Sequence, residues 1–243
     1  MPRTFKGWYA VALAAVLQGV TAVHALETDV ASRWNDGTTE GWSAVDNWLT
    51  PYPVANPGSY LGISFSDRSQ GVPGIAFIQA DANAAQGRFV GNYKAGNVTR
   101  ISFLFYSPTH LPDLAQLVLH SPTSGRYWYY PLTGIQVGQW VRFDIPVSYE
   151  AGWTLETAPT PEAFSADIEN VDWVGVRIFQ GQTDAQSFGL DDFVLATPAY
   201  DADGDGMSDL AELRAGTDPY SALSVFRLTM SSTDEGIVIA WPS

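Results

Sequence analysis

Apolar and polar residues alternate with a period of two in several short runs between residues 26 and 197. Successive side chains of a β-strand point to opposite faces of a sheet, so this alternation predicts strands that bury one face. Gly, Pro, Asn and Asp residues separate the runs, as expected for turns between strands. The clearest runs span residues 101–105, 115–119, 141–147 and 174–178.

Helical periodicity is weak in the same part of the chain. Residues 81–87 and 161–166 are compatible with a helical turn at most, and neither is a crossover helix between parallel strands. The pattern therefore predicts an all-β fold over residues 26–197, a two-sheet β-sandwich or jelly roll.

Short motifs near both ends of this domain carry a family resemblance. Residues 34–37 read Trp-Asn-Asp-Gly and run into Glu-Gly-Trp at 40–42, while residues 189–192 read Gly-Leu-Asp-Asp. First and last strands of this kind resemble those of galactose-binding-like jelly rolls, a form that many carbohydrate-binding modules share. Segments that resemble the laminin domain IV family and its bacterial relatives lie at 56–61, 88–93, 117–119 and 176–178. The resemblance implies a jelly roll and does not imply an enzyme.

A cation site inside the sandwich is one further implication of that resemblance. In related jelly rolls a cation can join the loop after the first strand to the last strand. Here Asp36 with Asp191 or Asp192 would be the ligands. The alternative is that residues 36–37 form only a turn and that the late pair of aspartates only ends a strand.

Residues 201–212 form the stretch in which residue type and spacing indicate a specific chemistry. Oxygen-bearing side chains fall at loop positions 1, 3, 5, 9 and 12, and Gly206 falls at position 6, where a calcium loop turns sharply. Calcium takes six to eight oxygen ligands, which this set can offer. The candidate calcium ligands are Asp201, Asp203, Asp205, Met207 through its carbonyl oxygen, Asp209 and Glu212.

The surroundings of this loop differ from those of an EF-hand, which has a helix on each side. Residues 196–200 read as a linker, and only residues 208–215 predict a helix, which ends at Gly216. A loop followed by one helix resembles the calcium repeats of thrombospondin type 3 and dockerin-like segments of secreted bacterial proteins. That resemblance implies calcium binding over residues 198–221; the alternative is an acidic, solvated turn.

The tail, residues 222–243, predicts a β-hairpin with strands near 225–230 and 236–241. A hairpin alone is marginal in water, so it should pack against another element. Leu210 and Leu213 fall on one face of the predicted helix, and we expect Val225, Phe226 and Leu228 to cover them. The tail could also be part of a truncated further domain.

Composition narrows the class of partner. The chain has 243 residues, a formal net charge of −14 and no cysteine. A strongly acidic chain argues against nucleic acid and against anionic membrane surfaces, because both are bound through Lys and Arg. No disulfide framework or thiolate metal site is available.

The first 25 residues predict a signal peptide. Arg3 and Lys6 precede a short apolar run from Trp8 to Val20, and small residues lead to a cleavage position after Ala25. The run is short for a membrane span of about 20 apolar residues. We therefore expect a secreted or cell-surface protein without membrane insertion after cleavage, with a permanent N-terminal anchor as the alternative.

Recognisable catalytic motifs do not appear in the sequence. His110 and His120 lack the spacing of a zinc site or a nucleophile elbow, and nothing pairs two carboxylates for glycoside hydrolysis. Trp140 and Trp173 lie opposite the aliphatic positions of their strands, beside Arg142 and Arg177. These four residues are candidates for a sugar platform, since flat rings cover the apolar faces of sugars. The alternative is that the rings fill space under loops.

These observations predict a secreted, non-enzymatic, calcium-binding protein whose β-sandwich binds glycans at the cell surface or in extracellular matrix. A structural or adhesive module that binds a surface protein is the second function that the sequence allows. A polysaccharide hydrolase is the third, for which the sequence offers the least support.

Overall fold

The computed structural model describes residues 29–46, 51–65, 74–155, 157–181, 185–226, 228–233 and 236–240. The predicted signal peptide, residues 1–25, lies outside the described residues. Within those ranges, no helix is both long enough and apolar enough to cross a bilayer.

Twelve strands build the main body of the protein. In chain order they are β1 (Val30–Ser32), β2 (Ser43–Val45), β3 (Pro51–Tyr52), β4 (Val54–Ala55), β5 (Leu61–Phe65), β6 (Gly74–Ala80), β7 (Arg100–Tyr106), β8 (Leu114–Ser121), β9 (Arg126–Pro131), β10 (Trp140–Pro146), β11 (Trp173–Gln180) and β12 (Gln186–Ala196). Short 3-10 turns occupy Ala84–Gly87 and Tyr149–Ala151, and helix α1 spans Pro161–Asp167. The helical turn predicted at 161–166 is present as α1, which begins where the Thr160 side chain accepts from Ala163 N–H. The turn at Ala84–Gly87 has left-handed backbone angles at Ala85 and Gln86.

These strands form two antiparallel sheets. The first sheet has the order β10-β7-β12-β5-β4, with β1 also paired to β12, and the second has the order β3-β2-β6-β11-β8-β9. From β5 to β12 the chain crosses between the sheets at every connection except the hairpin β8–β9. This topology confirms the predicted all-β sandwich of jelly-roll form.

The core lies between the sheets and is rich in aromatic rings. Trp42 is at its centre, with its ring centroid 5.4 Å from that of Trp34, 5.3 Å from Phe89 and 4.9 Å from Phe193. The indole N–H of Trp42 donates to Ser32 Oγ over 3.1 Å. The first and last strands of the domain thus pack on the same ring.

Gly41, next to that ring, is required by the backbone. Its φ is +79°, in the left-handed region. A Cβ atom at this position would lie 2.6 Å from the carbonyl oxygen of Asn83. Only glycine fits such a close approach at a positive φ.

The remaining chain forms helix α2 (Asp209–Ala215) and a hairpin of β13 (Thr229–Thr233) and β14 (Gly236–Ala240). The predicted loop-helix and hairpin are therefore present. We expected the tail to cover one face of α2. In the structure Leu213 of α2 is 50% exposed and Leu228 of the tail is 58% exposed, so neither side chain is buried by such a contact. The domain boundaries at 25/26, 197/198 and 221/222 stay predictions.

Candidate functional site

The loop before α2 is shaped by its own carboxylates. Asp201 accepts backbone N–H groups from Gly204 over 2.8 Å and from Gly206 over 2.9 Å. Asp205 accepts the N–H of Met207 over 2.8 Å. Gly206 has a φ of +96°, which a residue with a side chain rarely adopts. The loop therefore folds around its acidic side chains, which remain pointed to a common centre.

Three carboxylates meet at this centre. One oxygen from each of Asp201, Asp203 and Asp205 lies within 4.8 Å of the others. Oδ2 of Asp203 and Oε2 of Glu212 are buried without a hydrogen-bond partner, and Glu212 is fully buried. Negative charges this close repel one another, and a buried unpaired oxygen costs free energy. Both costs are offset if a cation is bound, so these residues fit a hard metal ion.

The ionisation of the site reflects the same crowding. Burial raises the pKa of the Glu212 carboxyl above its ordinary value, and the negative charge of Asp203 raises it further. The N–H of Gly206 that donates to Asp201 lowers the pKa of that carboxyl. Glu212 also accepts a hydrogen bond from Thr217 Oγ1 over 3.3 Å through Oε1, which leaves Oε2 for another partner.

Asp209, predicted as a ligand from loop position 9, makes two contacts that hold the loop in place. One of its oxygens accepts the N–H of Ala202 over 2.7 Å, and the other pairs with the guanidinium of Arg100 on β7. Its side chain is 1% exposed, and burial raises the pKa of this carboxyl. These contacts join the loop to the sandwich. Asp209 stays a predicted ligand, since position 9 of a calcium loop often coordinates through a water molecule. Met207, whose N–H donates to Asp205, stays a predicted carbonyl ligand.

Tyr220 makes a second attachment to the sandwich. Its hydroxyl lies 2.8 Å from Asp144 Oδ1 and 2.9 Å from Ser102 Oγ, and the Arg142 guanidinium lies 3.8 Å from its ring centroid. Burial is the main cause that raises the pKa of Tyr220 to about 12. Since Ser102, Asp144 and Arg142 face outward on β7 and β10, residues 200–220 lie over the outer face of the first sheet.

Removing the guanidinium of Arg100 should loosen this attachment. We expect Arg100→Ala to leave Asp209 buried without its charge partner, at a cost on the order of 3 kcal/mol. Limited proteolysis should then cut the segment around residues 198–226 faster than in the unmodified protein, with the sandwich still intact. Arg214→Ala, which removes an exposed arginine from α2 itself, is the matched control. Equal cleavage rates for the two variants would contradict this role for Arg100.

The aromatic candidates do not share one surface. Trp140 lies on the first sheet, 39% exposed, with its ring 5.1 Å from Tyr106 and 5.3 Å from Tyr60. Arg142, on the same strand, is held by Asp192 over 2.7 Å and is covered by the Tyr220 ring. The sequence grouped these two residues with Trp173 and Arg177, and the structure separates them because β10 and β11 belong to different sheets.

Trp173 and Arg177 instead face a groove of about 570 Å³ on the outer face of the second sheet. Its lining includes Phe77, Arg126, Tyr127, Tyr129, Trp173 and Arg177. The rings of Tyr127 and Trp173 lie 5.8 Å apart with 60° between their planes, and Tyr127 is 40% exposed. His120 stacks on Trp173, and its Nδ1 lies 2.5 Å from Asp172 Oδ1. The arrangement offers partly exposed flat rings next to fixed polar groups.

Tyr127, Tyr129 and Phe77 were not selected from the sequence. Consecutive aromatic residues along β9 and consecutive apolar residues along β6 gave no signal of which side chains point outward. The sequence does not show that Phe77 is paired in register with Arg177, or that Tyr127 is paired with His120.

The predicted second cation site receives little support from the contacts. The Asp36 carboxylate accepts from the N–H and hydroxyl of Thr38. Asp192 pairs with Arg33 over 3.0 Å and with Arg142 over 2.7 Å. Burial raises the pKa of the neighbouring Asp191 carboxyl. Among the described residues, the acidic group compatible with a metal is that of the loop at 201–205. The site at Asp36, Asp191 and Asp192 stays a prediction.

Comparison with known proteins gives one family match. Residues 201–222 match the family described as bacterial TSP3 repeat, which confirms the resemblance found in the loop and helix. No curated protein sequence matches the chain.

Several solved structures are similar to the sandwich. The L4b domain of human laminin alpha-2 is 13% identical, with 70% of this chain and 98% of that chain covered and a TM-score of 0.49. A family 11 carbohydrate-binding module from Clostridium thermocellum, in complex with a β-1,3-1,4-mixed-linked tetrasaccharide, is 14% identical, with 70% and 95% covered and a TM-score of 0.44. An exo-β-agarase is 8% identical, with 70% and 26% covered and a TM-score of 0.47. These likenesses concern the fold, so function has to be inferred from the residues of this chain.

Proposed function

We propose that this protein is a secreted, non-enzymatic, calcium-binding module that binds polysaccharide in the groove of the second sheet. The observation that carries the proposal is the pair of partly exposed rings, Tyr127 and Trp173, beside Arg177 in the groove. The groove lies on the second sheet, whereas residues 200–220, here called the calcium segment, lie over the first. Flat rings can cover the apolar face of a sugar, while a few fixed polar groups orient its hydroxyls.

A binding role is favoured over hydrolysis by the charge pattern of the groove. Glycoside hydrolysis generally needs two carboxylates at a set separation across the bond that is cleaved. Among the described lining residues of the groove, Asp46 is the single carboxylate. This supports a groove that holds a polysaccharide without cleaving it.

Calcium is proposed for the loop because its carboxylates fit a hard cation and because it matches the bacterial TSP3 repeat. Asp201, Asp203, Asp205 and Glu212 would hold the ion, with the Met207 carbonyl as a further ligand. When bound, the ion neutralises the crowded carboxylates. The residues of the chain itself then fix the segment on the first sheet through Asp209 and Tyr220.

A protein-binding role is the second candidate, and the hairpin favours it. Met230 on β13 is 72% exposed and Ile237 on β14 is 73% exposed, so the hairpin presents apolar side chains to the surroundings. Exposed apolar surface of this kind often marks a contact site. This role is compatible with polysaccharide binding because it would use a different part of the chain.

Trp173→Ala should lower polysaccharide affinity about tenfold or more, because it removes one of the two stacking rings. Affinity electrophoresis in gels that contain neutral or acidic polysaccharides would measure the change. Trp140→Ala is the matched control, since it removes a partly exposed tryptophan from the other sheet. Circular dichroism would check that both variants are folded.

Two outcomes would contradict the proposal. One is an unmodified protein that is retarded in none of the gels. The other is an equal loss of binding in Trp173→Ala and Trp140→Ala, which would move the binding surface away from the groove.

A further inference from the structure

We infer that the groove selects an acidic polysaccharide, with Arg177 binding the carboxylate or sulfate groups that the polymer carries. This inference rests on the proposed function, since it names the class of ligand for the same groove. The observation behind it is a guanidinium that the fold holds at the groove without a negatively charged partner.

Arg177 is fixed by neutral groups. Its guanidinium carbon lies 5.5 Å from the ring centroid of Phe77 and 5.4 Å from that of Tyr129. Its Nη1 donates to Gln116 Oε1 over 3.5 Å, and among the described residues its buried Nε has no acceptor. A charged donor group that is partly buried and unpaired is costly. An anion bound at the accessible end of the guanidinium would offset part of that cost.

Three arginines on the side of the first sheet, in contrast, form ion pairs with aspartates. Arg33 and Arg142 both pair with Asp192, and Arg100 pairs with Asp209 and with Asp144. No ion pair among the described residues includes Arg177. The chain has 26 acidic residues against 12 Lys and Arg, so carboxylates are abundant. An arginine left without one at the mouth of a binding groove is therefore well suited to a negative ligand.

The described lining of the groove carries charges of both signs. Its described lining holds the guanidinium groups of Arg126 and Arg177 and the single carboxylate of Asp46. Arg126 is partly neutralised by Asp167 over 3.4 Å, and Asp172, which precedes Trp173 in the sequence, is paired with His120. At physiological salt the Debye length is about 8 Å. A ligand in the groove therefore responds to these nearby charges more than to the net charge of the protein.

The guanidinium geometry adds selectivity to the charge. Arg presents a planar fork of N–H donors that matches the two oxygens of a carboxylate or sulfate group. The rings of Phe77 and Tyr129 hold the orientation of that fork before any ligand arrives. A sugar ring that stacks on Tyr127 or Trp173 would then be bound more tightly if it carries an acidic group towards Arg177.

The test compares oligosaccharides that share a backbone and differ only in charge. Three pairs are suitable: oligogalacturonate and its methyl ester, cello-oligosaccharides with and without oxidation to the C6 carboxylate, and sulfated and desulfated galactan oligosaccharides. Isothermal titration calorimetry in one buffer would give each affinity. We expect the acidic member to bind about tenfold more tightly in at least one pair, because charge-assisted hydrogen bonds are the strong ones. The carboxylate and sulfate pairs distinguish the two kinds of acidic group.

Variants assign the preference to one residue. Arg177→Gln should remove the preference, so that the acidic and neutral members of each pair bind with equal affinity, while Arg177→Lys should keep part of the preference. Arg142→Gln, on the other sheet, should keep all of it. If Arg177→Gln does not fold, the preference of the unmodified protein must still shrink with added sodium chloride.

The outcomes separate this inference from the proposed function. Neutral members that bind as well as or better than acidic ones in every pair would overturn the acidic preference and leave polysaccharide binding in place. A preference that survives in Arg177→Gln would overturn the role of Arg177. Binding of no oligosaccharide at all would overturn both proposals.

Discussion

Glu212→Gln should lower the calcium affinity of the protein by about a hundredfold. Glu212 is fully buried, and its Oε2 has no hydrogen-bond partner. In a calcium loop the residue at position 12 closes the coordination shell with both carboxylate oxygens. The amide keeps the size of the side chain but removes its charge and one oxygen. Loss of one member of a buried charge pair commonly changes binding by this amount.

Calorimetric titration with calcium of the protein freed from metal by a chelator would measure this loss. Glu150→Gln is the matched control, because Glu150 is exposed on the 3-10 turn at Tyr149–Ala151, far from the loop in sequence. We expect one site in the unmodified protein, with a dissociation constant on the order of 10⁻⁵ to 10⁻³ M as in extracellular modules. An unchanged affinity in Glu212→Gln would show that the ion is not bound by this loop.

Trp42→Ala should destabilise the sandwich by about 3–5 kcal/mol, the range for a buried tryptophan replaced by alanine. The side chain is 2% exposed and contacts the rings of Trp34, Phe89 and Phe193. Removing it would leave a cavity between the first and last strands and take the hydrogen-bond donor from Ser32. Urea unfolding followed by circular dichroism would measure the change in the free energy of unfolding. Trp140→Ala is the control, and a loss below about 1 kcal/mol in Trp42→Ala would mean that the core can collapse around the gap.

The strands could be predicted from the sequence because their signal is local. Side chains at 101, 103 and 105 and at 174, 176 and 178 alternate with their neighbours, and the two runs became β7 and β11. The sequence signal for helix α2 was equally local, since Ser208 caps its N-terminus and Gly216 caps its C-terminus. In each case the residues that determine the element are close to one another in the sequence.

The composition of the binding surfaces could not be predicted in the same way. Alternation shows that Trp140 and Trp173 point away from aliphatic neighbours, but it does not show which sheet each strand joins. The groove brings Arg177 next to Phe77 through strand pairing across about 100 residues. Local spacing predicts Asp209 as a calcium ligand but does not show its ion pair with Arg100, which lies 109 residues earlier in the chain. Such long-range contacts leave no mark on the local pattern.

The calcium segment and the groove lie on opposite faces of the sandwich. Through Tyr220 and Asp209 the calcium segment is fastened to the first sheet, and the groove opens on the second. The two surfaces are back to back, so a long polymer in the groove does not displace the segment. If polysaccharide fills the groove as proposed, residues 200–220 on the opposite face therefore stay uncovered.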